Sequence, residues 1–165
     1  MTPSVLRKIY NLTNEHGIGN ASNNTMATTN FLGQYVEPSD LQKFFQLYDP
    51  NATVTTASTI VGVNNPSDPG VEAMLDTEYL MSVGSGINTE WWFTEGGQPG
   101  NPTDEPWLKW LMLASNCTQL PNVFSASYTD FEAHVNPSYS DRVNVELMKI
   151  GARGTSLLMA SGDYG

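Results

Sequence analysis

Residues 137–160 read PSYSDRVNVELMKIGARGTSLLMA, and this stretch decides the fold. Pro137 is suited to open a helix, because its ring fixes φ and its missing N–H is not needed in the first turn. Val143, Leu147 and Ile150 then recur at i, i+4 and i+7, the spacing of one buried helical stripe. The helix is predicted to run to Ala152. Arg153-Gly154 end it, and Thr155 to Ala160 follows as an apolar strand, predicted to be buried on both faces. A helix returning into an apolar strand is the closing half of a right-handed crossover between parallel strands.

The same alternation extends towards the N-terminus. Thr55 to Val63 is a β-branched strand that leaves into Asn64-Asn65-Pro66. Asp68-Pro69 supplies an N-cap and a first-turn proline, so a helix is predicted from Val71 towards Met81, stopping near Gly84 and Gly86. Ile87 to Thr94 is a second strand. Trp91 and Trp92 adjoin on it and point to opposite faces, one of them into the core. Glu95 to Asp104 is a Gly/Pro-rich loop. Pro106 opens an apolar helix over Trp107 to Leu113, and Val123 to Tyr128 is a third strand. The first fifty residues read as more helical, with Ser39-Asp40 capping Leu41 to Leu47. The expected fold is α/β, a parallel sheet with helices on both faces, in one domain over residues 1–165.

Composition narrows the function. The 165 residues suffice for a sizeable core. Seven basic against seventeen acidic residues give a net charge of −10. That sheath argues against nucleic acid and anionic membrane as partners, and suits work at acid pH. No apolar run reaches the roughly 18 residues of a membrane span, and Met1-Thr2-Pro3-Ser4 carries no signal-peptide core. Cys117 is the only cysteine, so an intrachain disulfide or a CxxC metal site is excluded; it reads as a small buried or boundary residue. His16 and His134 sit in polar loops without ligand spacing, so no metal site is expected. Five N-x-S/T sequons, at Asn11, Asn20, Asn23, Asn51 and Asn116, point to a secretory route, which the missing signal contradicts unless the true N-terminus lies upstream.

Ligands of open parallel sheets bind at the carboxyl ends of the strands. The loop Ser161-Gly162-Asp163-Tyr164-Gly165 follows the last strand there. Upstream, Gly70-Val71-Glu72-Ala73-Met74-Leu75-Asp76 puts two carboxylates four apart on one helix face. Two like charges so placed split their pKa values, which is the basis of carboxyl acid/base chemistry. The bland alternatives are a solvated helix face and a turn aspartate. A retaining glycosidase fits poorly, since its carboxylates straddle a sugar from separate elements.

Taken in order, these blocks resemble the sedolisin family of serine-carboxyl peptidases, in particular its lysosomal tripeptidyl-peptidase branch. The blocks are Thr2-Pro3-Ser4-Val5-Leu6-Arg7-Lys8-Ile9-Tyr10-Asn11-Leu12-Thr13, the Glu72/Asp76 helix continuing through Glu78 to Ser82, Trp107 to Leu113, Arg142 to Lys149, and Ala160-Ser161-Gly162-Asp163. The resemblance implies a subtilisin-like α/β fold, incomplete at its C-terminal side, of which residues 1–165 form the N-terminal part of one catalytic domain. It implies that Glu72 is the base, Asp76 its orienting partner and Asp163 the oxyanion acid. It implies Ser127 and Tyr128 as substrate-binding residues, and an acid exopeptidase, lysosomal or secreted, taking tripeptides from peptides with a free N-terminus. Asn11, Asn23 and Asn116 are the glycosylation candidates.

The match breaks at the nucleophile. The family's serine lies downstream of the Asp163 loop, and so do its Ca2+ ligands, so this chain is expected to be inactive without a C-terminal half. Ser156 in Gly154-Thr155-Ser156 lacks the surrounding motif and is expected to begin a strand instead. Tyr164 stands where the family has serine, and Thr129 where its cleft loop has glycine. The alternative is a truncated, non-catalytic paralogue that binds peptides or does nothing. Either way the incomplete sheet is expected to expose an apolar edge and self-associate.

Overall fold

The computed structural model describes residues 1–12 and 23–164. His16 and Asn20 lie outside the described residues. Helix α1 (Pro3–Ile9) precedes strand β1 (Thr25–Asn30), helix α2 (Pro38–Tyr48), strand β2 (Thr59–Val61), helix α3 (Val71–Val83) and strand β3 (Asn88–Phe93). Helix α4 (Trp107–Asn116), strand β4 (Val123–Ala126), a short 3-10 turn at Glu132–His134, helix α5 (Pro137–Ala152) and strand β5 (Ser156–Met159) complete the fold. The five strands form one open, wholly parallel sheet in the order β2-β3-β1-β4-β5. The chain changes sides of β1 between β3 and β4, which makes the carboxyl ends around β1 the expected crevice.

Helices cover both faces. On one face Trp92, Phe124, Ala27 and Phe31 pack with Trp110, Leu111 and Ala114 of α4 and Ile150 of α5. Trp110 meets Phe124 edge-on at 5.0 Å, a favourable aromatic geometry. On the other face Trp91 and Phe93 pack with Ala73 of α3 and Val36. Leu41, Phe44 and Phe45 of α2 then close over Met81 of α3.

Several expectations are corrected. Residues 25–30 form the central strand, in a region expected to be helical. Trp91 and Trp92 do face opposite ways, but both are core, 0 % and 2 % exposed. The predicted strand at 55–63 shortens to Thr59–Val61 at the sheet edge. α3 starts at Gly70 as N-cap, not at Asp68-Pro69, because Pro69 is held in a bridge to Tyr35. Glu37, not Ser39-Asp40, caps α2, its carboxylate accepting from the Ser39 and Asp40 N–H groups. β5 is not buried on both faces: it is an edge strand, with Leu158 63 % and Met159 47 % exposed. Only Leu157 packs on the main core.

Candidate active site

Helix α3 is the platform. Ala73, Thr77 and Met81 recur at i, i+4 and i+8 and are buried, which fixes the helix rotation. That rotation leaves Glu72 and Asp76 half-buried, one turn apart on an adjacent face. The first residue beyond β4 reaches this face: the Ser127 hydroxyl donates to Asp76 Oδ1 at 2.6 Å. Asp76 Oδ2 is buried without a hydrogen-bond partner.

This environment disfavours charge. Burial pushes the Asp76 carboxyl up to about 6; the Ser127 donation opposes the rise and the neighbouring Glu72 charge adds to it. Glu72 is also raised, by burial first and then by the charge of Asp163, against a lowering contribution from Ser127. Ser127 thus ties Asp76 to the end of β4, and the charge of Asp163, in the loop after β5, is felt at Glu72. Of the residues singled out in the sequence, the fold brings Ser127 into contact with Asp76.

Beside them lies a cavity of about 380 Å³, walled by residues 127–131, residues 160–164 and Glu105. Ser127 and Asp163 both line it. Tyr128 lines it too, yet is only 7 % exposed, and its ring packs edge-on against Phe31 at 5.0 Å. Tyr164 is 95 % exposed and faces solvent at the rim. Among the described residues only Asn11 and Leu32 are non-glycines with positive φ. Thr129 therefore sits in ordinary backbone space, and its loop needs no glycine.

Other candidates fall away from this centre. Ser156 starts β5, its N–H donating to the Asn122 carbonyl at 2.9 Å, at the opposite end of the strand from Asp163. Cys117 is half-buried just past α4. His134 lies 3.6 Å from Asp130 as an exposed surface pair. Among the described residues no group of three or more His, Cys, Asp or Glu is placed to hold a metal ion. Glu105 was not singled out in the sequence; its one local signal is an acidic pair, Asp104-Glu105, ahead of Pro106 and α4. Burial raises its carboxyl as well.

Comparison with known proteins identifies relatives of the chain. No family model matches the chain. It is 45% identical to human tripeptidyl-peptidase 1 over 166 aligned positions. Identity is 44% to the cattle protein and 43% to the mouse protein of the same name. Over its whole length the chain is similar to tripeptidyl-peptidase 1. In each case the match takes in all of this chain, which spans 29% of the length of the relatives. Among the described residues, no helix is long and apolar enough to cross a membrane.

Proposed function

We propose that this chain supplies the carboxyl half of the catalytic machinery of an acid exopeptidase that releases tripeptides from free N-termini. The Ser127–Asp76 hydrogen bond at the wall of the cavity that Asp163 also lines carries the reading. In that scheme a serine from outside these 165 residues attacks the scissile carbonyl. Glu72 takes the serine proton and returns it to the departing amine, which is acyl transfer with a carboxylate base. Asp76, held by Ser127, orients Glu72. Asp163 in its protonated form donates to the developing oxyanion. Without the serine the chain by itself is silent. No step runs through calcium.

Residues 127–129 offer backbone along the cavity wall for an extended peptide. An exopeptidase must also recognise an ammonium. Glu105 and Asp130 are the further carboxylates on the cavity wall, and we assign them that charge. Acetylating the substrate N-terminus is expected to abolish release by the product of the complete reading frame; equal cleavage of blocked and free peptides would overturn the exopeptidase assignment. The exposed edge of β5 is the surface on which a C-terminal half would add its next strand. Asn11, Asn23, Asn51 and Asn116 are exposed, which fits glycosylation on a lysosomal or secreted route; unchanged gel mobility after deglycosylation of the secreted protein would contradict it.

A further inference from the structure

Helix α3 begins on a residue that has no side chain to cap it. Gly70 is its N-cap and makes no side-chain cap hydrogen bond. Ordinarily an N-cap side-chain oxygen accepts from the N–H two or three residues on. Here the acceptor arrives from elsewhere. Gln34 Oε1 accepts from the Glu72 N–H at 3.0 Å, across 38 residues of chain.

The loop that delivers Gln34 is built for the purpose. Leu32 and Gly33, one residue past the end of β1, both have positive φ, 51° and 73°. The Gln34 N–H donates back to the Phe31 carbonyl at 3.0 Å. Two positive-φ residues inside such a turn reverse the chain tightly. Leu32 is a bulky residue in a conformation that suits glycine, a strain that persists only where surroundings enforce it. Beyond the turn, the Tyr35 carbonyl accepts from the Gly70 N–H at 2.9 Å. Asn64 then clamps Val36 through both its N–H and its carbonyl, at 3.1 and 2.9 Å. Gly70 leaves no room for anything else: a Cβ there would lie within 2.6 Å of the Gln34 Cα.

We infer that Gln34 is a positioning residue for the base: its amide oxygen fixes the first turn of α3, and through the Glu72 backbone sets where the Glu72 carboxyl stands. The inference rests on the reading of Glu72 as base. The groups around that carboxyl are Asp76 on its own helix, Ser127 after β4 and Asp163 after β5, and small movements of Glu72 change its distance to all three.

Three variants test it: Gln34→Met keeps the volume and loses the acceptor; Gln34→Glu keeps an acceptor and adds a charge; Gly70→Ala displaces Gln34 from the other side. The readout is the carboxyl titration of Glu72, followed by carbon-detected NMR on this chain, which needs no serine. Gln34→Met and Gly70→Ala are expected to shift the Glu72 midpoint in the same direction, by about half a pH unit or more. Gln34→Glu is expected to move it upward, because a like charge disfavours ionisation. Should Gly70→Ala fail to fold, the two Gln34 variants decide. In the product of the complete reading frame, Gln34→Met is expected to lower kcat about tenfold with KM within about twofold, and Gln34→Glu to restore kcat at the plateau of the pH profile. A Glu72 midpoint indifferent to the Gln34 variants would overturn the inference, even if they lowered thermal stability. A midpoint that follows Gln34 in a protein that never cleaves peptides would support the positioning and overturn the catalytic reading.

Discussion

Replacing Asp76 by asparagine should make this protein more stable at neutral pH. The reason lies in the site. Its carboxyl is pushed from 3.8 to about 6, chiefly by burial. The folded state therefore holds the proton more tightly than the unfolded state. Below about pH 3.8 both states are protonated and the group is neutral in the balance. As pH rises from there to about 6, stability falls, and above 6 it stays lower. At about 1.4 kcal/mol per pH unit the penalty approaches 3 kcal/mol. Asp76 is only half-buried, so solvent screening reduces that to roughly 1–2 kcal/mol. Asparagine is isosteric, cannot ionise, and still accepts from Ser127. The melting temperature of Asp76→Asn at pH 7 should then rise, at about 2–4 °C per kcal/mol for a chain of this size. At pH 4 the variant and the wild type should agree within about 0.5 kcal/mol. Denaturant melts at the two pH values measure both. A variant less stable at pH 7, or an equal difference at both pH values, would refute this reading of the site.

Other perturbations have defined outcomes. Ser127→Ala removes the donor that lowers the Asp76 carboxyl, so its NMR titration midpoint should move above the wild-type value; a downward move would show that Ser127 does not support the charged form. Leu158→Lys puts a charge on the free edge of β5 and should reduce self-association of the isolated chain in analytical ultracentrifugation; unchanged association would place the sticky surface elsewhere. Arg153 binds the carbonyls of Ala114, Ser115, Cys117 and Thr118 with its guanidinium, at 3.2, 3.1, 2.6 and 3.2 Å. Arg153→Ala should therefore cost about 1–3 kcal/mol in chemical denaturation, and a loss below about 0.5 kcal/mol would mean that water replaces it freely.

Helix α5 was legible because Val143, Leu147 and Ile150 keep strict helical spacing and two of its boundaries are marked by Pro137 and Gly154. The Glu72/Asp76 pair was legible because a four-residue spacing fixes a common helix face. β1 was not. Its Thr28, Thr29 and Asn30 are polar yet 0 % exposed, and sequence patterning reads polar runs as solvent-facing. Part of that polarity is satisfied internally, with Asn30 donating to the Thr28 hydroxyl at 3.0 Å, and threonine's branched Cβ favours the strand. The exposure of β5 was misread because an apolar composition reports what a strand is made of, not whether a neighbour covers it. The contacts that tune the site span long separations, 51 residues from Ser127 to Asp76 and 38 from Gln34 to Glu72. No local pattern announces such pairs; the topology alone places them side by side. The α3 cap is the sharpest case, since Asp68-Pro69 has the local chemistry of a helix start, while the actual start takes its acceptor from the β1 loop.

The most direct test of the catalytic assignment is tripeptide release at acid pH from a peptide with a free N-terminus. The protein is the product of the complete reading frame, wild type beside Glu72→Gln, with released fragments identified by mass spectrometry. Release of tripeptides by the wild type and a loss of about 10²–10⁴-fold in Glu72→Gln is the predicted result. Cleavage by Glu72→Gln within about twofold of wild type would contradict it, and would leave the two carboxylates of α3 without a catalytic role.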